Sequence, residues 1–341
     1  MNISVGIVGL PNVGKSTLFN ALTKKGVPAE NYPFCTIDPS VGIIPVPDER
    51  LDKLAVFSNS KRKIPAVVEF VDIAGLVRGA SKGEGKGNDF LQYIRECDAI
   101  AEVVRVFEDP EILHMEGKVD PISDIETINL ELVLKDLETV TKRLGSLEKE
   151  VKSGKKDALL EKSGLEKISK VLEAGKFASS VWDDLDEKEK PFIRNMQLLT
   201  MKPILYVLNT SEAAEEVPQT KELLSGENNI VGNNFVLVDP IFEKGLNDLI
   251  KKAYETLNLI TYFTTGEDET RGWTIKRNST APEAGMAIHT DFRDKFIRAE
   301  VIEWDKLLSV GSYAAAREKG LLRTEGKEYI VKDGDVIEFK I

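Results

Sequence analysis

The sequence predicts an α/β protein with a Rossmann-like sheet, an inserted helical coiled-coil hairpin and a C-terminal β-grasp domain. Three observations lead to this prediction. An apolar, β-branched stretch at residues 3–8 runs directly into a glycine-rich loop and a helix pattern. Apolar residues follow 3,4 spacing over three heptads in residues 130–151. After about Asn258, short strands alternate with turns.

The glycine-rich loop at residues 9–17 reads Gly-Leu-Pro-Asn-Val-Gly-Lys-Ser-Thr and fits the phosphate-binding loop pattern. Its glycines let successive backbone N–H groups point at phosphate oxygens. Lys15 can reach the β- and γ-phosphates, and the Ser16 hydroxyl can hold Mg²⁺. A chance glycine-rich turn is the alternative, but strand, loop and helix all agree on a P-loop NTPase sheet. The expected nucleotide ligands here are Asn12, Val13, Gly14, Lys15, Ser16 and Thr17.

Length and composition exclude several classes of protein. A chain of 341 residues favours two or three domains. A net charge of −11 argues against a general nucleic-acid coat, so DNA is not an expected partner. No apolar run is long enough for a membrane span, and the two cysteines lack metal-binding spacing. We therefore expect a cytoplasmic protein without a membrane partner.

Two further segments resemble the switch regions of a nucleotide hydrolase. Thr36 lies on a proline-rich loop, where a magnesium-binding switch threonine is expected, although a plain loop threonine is the alternative. The strand at residues 66–71 leads to Asp72 and Gly75 in an Asp-x-x-Gly motif. Asp72 can orient a magnesium-bound water, and Gly75 can offer its N–H to the γ-phosphate.

Residue 76 departs from the pattern of Ras-like GTPases, in which a glutamine after Asp-x-x-Gly orients the attacking water. Leu76 cannot hold a water, so catalysis needs another group or a partner. His114, in the loop after the apolar strand at residues 99–107, is our candidate for this role. An ordinary surface histidine is an equal alternative.

Residues 121–200 predict an inserted helical domain. The 3,4 pattern of residues 130–151 is broken at residues 152–155, and a second helical pattern runs through Leu165, Ile168 and Leu172. The pair indicates a helical hairpin. A purely structural insert and an arm that docks a partner both remain open.

The base-recognition motif is altered. The buried strand at residues 204–208 delivers Asn209, Thr210 and Glu212, where GTPases carry Asn-Lys-x-Asp. The longer glutamate displaces the acceptor that guanine needs, which favours relaxed or adenine-preferring recognition. Alternatively, Asn209 and Glu212 merely begin the next helix.

The last segment predicts a β-grasp module. A hairpin at residues 260–275, a helix at 282–288 and strands near 298–302, 329–331 and 336–340 indicate it. Between Arg271 and Arg298 there are six basic and three acidic residues. This local excess indicates an RNA-facing patch, with an ordinary solvated surface as the alternative.

Taken together, these motifs resemble the Obg-like ATPases, the YchF group of translation-factor-related P-loop NTPases. The resemblance rests on residues 9–17, 31–37, 72–77, 209–212, 261–264 and 331–335. It implies a G domain at residues 1–120 and 201–257, a helical domain at 121–200 and a TGS domain at 258–341. It also implies slow Mg²⁺-dependent ATP hydrolysis, a preference for ATP over GTP, and binding to the ribosome or its large subunit.

The resemblance also assigns roles to single residues. It places His114 with Lys15 in catalysis, Phe107 beside the base, and Asn12 near a K⁺ ion, which is a hypothesis. The chain departs from the family between residues 217 and 245, which look shortened. Three functions remain open: a regulatory ATPase, an Obg-type GTPase with degraded base readout, and a nucleotide-gated binding module with negligible turnover.

Overall fold

A computed structural model describes residues 3–26, 40–73, 93–109, 118–211, 218–225 and 231–341. The chain divides into two compact units. The P-loop unit holds residues 4–20 and the described part of 71–245. The β-grasp unit holds Ile3, the described part of 21–70, and residues 246–341.

The described residues form twelve strands and eleven α-helices with assigned bounds. The strands are β1 (Ser4–Val8), β2 (Val41–Pro45), β3 (Arg62–Ile64), β4 (Val67–Asp72), β5 (Ala99–Arg105), β6 (Ile204–Asn209), β7 (Phe235–Val238), β8 (Leu259–Thr265), β9 (Glu269–Lys276), β10 (Arg298–Glu303), β11 (Arg323–Glu325) and β12 (Asp335–Lys340). The helices are α1 (Lys15–Lys24), α2 (Glu49–Phe57), α3 (Pro121–Lys152), α4 (Lys156–Glu173), α5 (Lys190–Asn195), α6 (Gln219–Ser225), α7 (Leu246–Thr256), α8 (Ala281–Met286), α9 (Thr290–Asp294), α10 (Trp304–Val310) and α11 (Tyr313–Glu318).

The P-loop unit is built on parallel strands, as the sequence predicts. β1, β5, β6 and β7 are neighbours in that order, with Ile7 beside Ala101 and Val103 beside Val207. Every residue of β5 and β6 is buried, which explains their nearly continuous apolar sequences. The carboxyl ends of these strands therefore meet at one edge, where α/β sheets bind ligands.

The helical hairpin is confirmed as an element of the P-loop unit. α3 has 32 residues and is about 48 Å long. It begins where the Asp120 side chain accepts a hydrogen bond from the Ser123 N–H at 3.2 Å. Its buried apolar residues pack with those of α4 in one core that includes Val133, Val140, Leu147, Leu165, Ile168 and Leu172.

The predicted seam is wrong at its first position, because Leu130 is 53% exposed. Asp136 occupies the buried face near this end of α3 and accepts hydrogen bonds from Leu199 N (2.9 Å), Thr200 N (2.7 Å) and Thr200 Oγ1 (2.6 Å). Asp136 thus adds polar contacts to the buried face of α3, and the hairpin core shared with α4 includes Val133 but not Leu130.

The β-grasp unit contains a six-stranded sheet in the order β11-β10-β12-β8-β9-β3. The predicted hairpin is β8 and β9, which pair antiparallel, and β12 pairs with β8 in parallel. The predicted strand at residues 329–331 is wrong, since Ile330 makes only an isolated bridge with Thr280. Instead, β3 supplies an edge strand from far upstream, with Arg62 beside Glu269.

The β-grasp sheet is covered on both faces. One face packs Tyr262 and Phe339 into a core that also contains Ala281 and Ala284 of α8. The other face packs Phe263 against a cluster that includes Leu51 and Leu54 of α2. Residues upstream of the predicted domain boundary thus contribute to this core.

No helix among the described residues is long and apolar enough to cross a membrane. The division into a G domain, a helical domain and a TGS domain stays a prediction.

Candidate functional site

The phosphate-binding loop lies between β1 and α1 at the carboxyl edge of the sheet. Gly14 has a φ of +95°, and an added Cβ there would collide with the Asn209 amide nitrogen. Asn12 also has a positive φ, of 64°, which asparagine tolerates better than most residues. The Gly14 carbonyl accepts the first helical hydrogen bond of α1, from Leu18 N at 2.9 Å. The sequence therefore fixes the loop backbone in place at the helix N-terminus, which favours anions.

Lys15 is the buried cation of this loop. Its side chain donates a hydrogen bond from Nζ to the Leu10 carbonyl at 2.7 Å, and the residue is only 8% exposed. Burial disfavours its charge and lowers its pKa to about 8, while the nearby Asp72 carboxylate partly offsets this effect. A phosphate group bound here would restore the charged form.

Ser16 and Asp72, two of the predicted magnesium ligands, lie close together. The Ser16 hydroxyl is 3.5 Å from Asp72 Oδ2, too long for a strong hydrogen bond. Both groups offer the oxygen ligands that Mg²⁺ prefers. The described residues contain no group of three or more His, Cys, Asp or Glu side chains suited to a metal. A hydroxyl and a carboxylate at this spacing fit Mg²⁺ held by few protein ligands, which is its usual mode.

Asn209 connects the end of β6 to the phosphate-binding loop. Its Nδ2 donates a hydrogen bond to the Val13 carbonyl at 2.8 Å, and the residue is 6% exposed. The next residue, Thr210, is half-buried and donates from its backbone N–H to the Val238 carbonyl at 2.9 Å. The structure thus brings Asn209, the first residue of the predicted base-recognition segment, to the phosphate loop. Asn209 is also a positioning residue for that loop, which the sequence did not indicate.

Phe107 follows β5 and contacts Arg105, a residue that was not predicted to take part in the site. Arg105 is 1% exposed, donates from Nε to the Phe107 carbonyl at 3.0 Å and lies 4.8 Å from the Phe107 ring centroid. Burial lowers the pKa of Arg105 below its usual value. The available signal was an arginine at the end of a strand that is apolar apart from Glu102, a pattern that requires buried partners.

Four predicted site residues, Thr36, Gly75, His114 and Glu212, lie outside the described residues, as does Leu76. Their roles stay predictions. Thr17 lies exposed in the first turn of α1, beside Ser16.

Comparisons with known proteins cover both units. A family model described as 50S ribosome-binding GTPase matches residues 4–142, and the YchF-GTPase C-terminal model, described as a protein of unknown function, matches residues 259–341. The protein named ribosome-binding ATPase YchF of Bacillus subtilis is 49% identical over 100% of this chain and 99% of its own length. This chain belongs to the YchF family of Obg-like ATPases. The rice protein named Obg-like ATPase 1 is 42% identical over 99% of this chain and 92% of its own length.

A solved YchF structure agrees with this assignment. The Schizosaccharomyces pombe YchF GTPase is 38% identical, with a TM-score of 0.84 over 99% of this chain and 98% of that one. The resemblance inferred from the sequence motifs is therefore confirmed, and so is the predicted YchF fold class. The alignment with the Bacillus subtilis YchF runs over 365 positions, against 341 residues here. This chain therefore lacks at least 24 of the aligned positions.

Proposed function

We propose that this chain is a ribosome-binding regulatory ATPase that hydrolyses ATP slowly to ADP and phosphate and prefers ATP to GTP. The observation that carries the proposal is the arrangement of Lys15, Ser16 and Asp72 around a complete phosphate-binding loop. That arrangement stands in a chain 46–49% identical over its whole length to relatives named ribosome-binding ATPase YchF.

The phosphate-binding loop would hold the β- and γ-phosphates. Backbone N–H groups of the loop and of Ser16 and Thr17 would face the phosphate oxygens, as in other P-loops. Lys15 would neutralise charge that develops on the leaving phosphate. We propose Gly75 as the further backbone donor to the γ-phosphate.

We propose that Ser16, Asp72 and Thr36 hold Mg²⁺. When nucleotide is bound, these residues would hold an ion that supplies positive charge to offset that of the phosphates. Asn12, at its left-handed position in the loop, is the proposed contributor to a K⁺ site. Equal turnover in sodium and potassium would contradict the potassium proposal.

The base would lie between Phe107 and the segment of Asn209, Thr210 and Glu212. Asn209 is fixed by its bond to the Val13 carbonyl, and the Phe107 backbone is fixed by Arg105. A glutamate in place of the GTPase aspartate leaves the hydrogen-bond donors of guanine poorly paired. Because unpaired polar groups weaken binding strongly, guanine should bind less well than adenine.

Slow turnover follows from Leu76, which cannot orient water. We propose that His114 takes this role. Without a glutamine or an arginine finger, which supplies about 10³–10⁵-fold, the intrinsic rate stays low. Unchanged turnover with intact nucleotide binding in His114→Ala would contradict this assignment.

The partner is proposed to be the ribosome, in the cytoplasm, through the helical domain or the TGS domain. In the TGS segment the basic excess is partly neutralised, because Arg293 pairs with Asp294 at 2.8 Å and Lys295 with Asp291 at 3.1 Å. Lys276, Arg277 and Arg298 remain exposed and are the proposed RNA contacts of this domain.

The deciding experiment is competition of unlabelled ATP and GTP against a fluorescent nucleotide, with Mg²⁺ and K⁺ present. We expect ATP to compete at least tenfold better, which is about 1.4 kcal/mol. A preference for GTP would replace the proposal with an Obg-type GTPase. Phosphate release is then measured with and without ribosomes, and negligible turnover in both would favour a nucleotide-gated binding module.

A further inference from the structure

The helical hairpin carries its charges unevenly. Its proximal segment, residues 121–141, has five acidic residues and one basic residue. The hairpin tip, defined here as residues 142–157, has six basic residues and three acidic ones. The tip is thus a positive end in a chain whose net charge is −11.

Ion pairs within the hairpin neutralise only part of this positive charge. Arg143 is held by Glu161 in a two-pronged contact, with nitrogen to oxygen distances of 2.6 and 2.7 Å. Lys155 lies 3.3 Å from Glu150. The remaining tip lysines are exposed, and no ion pair or hydrogen bond of their side chains is found among the described residues; they are Lys142, Lys149, Lys152 and Lys156.

Three of these lysines lie along one side of α3 near the hairpin end. Lys142 and Lys149 are seven residues apart, which places them two turns apart on the same face of α3, and Lys152 follows three residues later. Lys156 opens α4, after the short connection at residues 153–155. Like charges three or four residues apart on a helix, as at Lys149 and Lys152, cost folding energy unless a partner neutralises them.

Two features of the tip run against helix stability. Lys155 is the N-cap of α4 and makes no side-chain capping bond, and Lys156 follows in the first turn. Cations are unfavourable at a helix N-terminus, and Ser, Thr, Asp or Asn would cap it better. A favourable helix-dipole interaction accounts for Lys149 and Lys152 in the last turn of α3, but not for these two residues.

The third such feature is Gly145, in the interior of α3. It is exposed, and an added Cβ would meet no atom within 4 Å, so packing does not require a glycine. Glycine costs about 1 kcal/mol relative to alanine inside a helix. Gly145 lies between Lys142 and Lys149 on the same face of α3. Without a side chain, it leaves a flat site there that lets another backbone approach closely.

We propose that the hairpin tip binds the phosphate backbone of folded RNA. The inference rests on the proposed ribosome-binding function and names the surface and ligand chemistry for it. Lysines contact phosphates as point charges, and a flat glycine between them admits the ribose-phosphate chain. An anionic membrane fits less well, because the one apolar residue in 148–157, Val151, packs in the hairpin core instead of facing outward.

The test uses the full chain and a fluorescein-labelled RNA hairpin of 20 base pairs, read by fluorescence anisotropy between 50 and 200 mM KCl. The tip variant is Lys149→Glu, Lys152→Glu and Lys156→Glu. The matched control is Lys170→Glu, Lys176→Glu and Lys188→Glu, which changes the charge equally at exposed lysines outside the tip.

We expect the tip variant to bind at least tenfold more weakly, with a salt slope reduced by about two to three, as three lost phosphate contacts require. The control should stay within twofold of wild type. Equal affinity of wild type and tip variant, or an equal loss in the control, would overturn the proposal. Binding of wild type to anionic vesicles but not to RNA would overturn it as well.

Ribosome co-sedimentation and ATP turnover separate this inference from the proposed function. No tip residue belongs to the nucleotide site, so turnover without ribosomes should be unchanged in the tip variant. If wild type binds ribosomes and the tip variant binds them equally well, the inference fails and the function stands. If wild type does not bind ribosomes, the function fails, and the RNA titration still decides the inference.

Discussion

Burial controls the charge of Lys15, the residue on which phosphate binding depends. With a pKa of about 8, this side chain is partly neutral at mildly alkaline pH before nucleotide binds. Bound phosphate requires the charged form, so binding above that pH must also take up a proton.

We therefore expect nucleotide affinity to be nearly constant below pH 8 and to fall by up to about tenfold per pH unit above it. Titration with a fluorescent nucleotide from pH 7 to 9.5 measures this dependence. Lys15→Arg, which stays charged throughout this range, should bind more weakly but with a flat profile. A flat profile in wild type would show that Lys15 is already fully charged in the free protein.

Glu102 is a second buried ionisable group, but without a role in phosphate binding. It is fully buried in the middle of β5, directly beside Tyr206 of β6, and neither carboxyl oxygen has a hydrogen-bond partner among the described residues. Burial, and then the carboxylate of Asp124 on α3, raise its pKa well above the usual value. Burial therefore favours the protonated form of Glu102 in the folded state.

This protonation makes stability depend on pH. The unfolded chain ionises Glu102 at about pH 4.3, so its contribution is complete below that pH and is lost as pH rises toward the folded pKa. We expect a decline of at most about 1.4 kcal/mol per pH unit above pH 5. Urea unfolding at several pH values should show a smaller decline in Glu102→Gln. The exposed Glu126→Gln, on α3, should behave like wild type.

At the scale of elements, the hairpin shows how far an apolar pattern predicts burial. Leu130 and Leu147 both fit the 3,4 spacing, yet Leu147 is fully buried and Leu130 is 53% exposed. We expect Leu147→Ala to lower the free energy of unfolding by about 2–5 kcal/mol, through lost burial and a cavity. Leu130→Ala should change it by less than about 0.5 kcal/mol.

Thermal and urea unfolding of the two variants provide the measurement, and each serves as the control for the other. Similar losses in both would mean that the seam continues to Leu130, as the heptad pattern alone indicates. Identical, negligible losses would mean that α3 and α4 do not form a packed pair.

The parallel strands and the phosphate-binding loop could be predicted because their signals are local. β1, the loop and α1 follow one another in sequence, and the buried strands β5 and β6 are continuous apolar stretches. Other features depend on distant partners. β3 is a charged three-residue segment, and only pairing with β9, some 200 residues later, makes it a strand.

The residues of the candidate site also fall into those with a local sequence signal and those without one. Lys15, Ser16 and Asp72 could be assigned from motif spacing. The hydrogen bond from Asn209 to the Val13 carbonyl and the one from Arg105 to the Phe107 carbonyl could not be predicted. Both contacts join side chains to backbone carbonyls, which no residue pattern reports.

At the scale of the whole molecule, the C-terminal domain depends on upstream sequence for its own core. The Arg50 guanidinium pairs with Asp333 at 2.6 Å and lies 5.2 Å from the ring centroid of Phe263. Leu54 of α2 is fully buried in the cluster around Phe263. β3 and α2 therefore belong structurally to the sheet formed by residues 259–340.

We expect the excised fragment 258–341 to be unstable. Exposing the apolar surface that Leu51 and Leu54 cover removes about 1.5–3 kcal/mol per leucine, and the Arg50 contacts and the β3 pairing are lost as well. A domain of this size has only about 5–15 kcal/mol of stability in total. The fragment should show poorly dispersed amide resonances and a non-cooperative thermal transition. In the full chain, Leu54→Ala should cost about 2–5 kcal/mol. A well-dispersed spectrum and a sharp transition of the fragment would mean that residues 258–341 fold without β3 and α2.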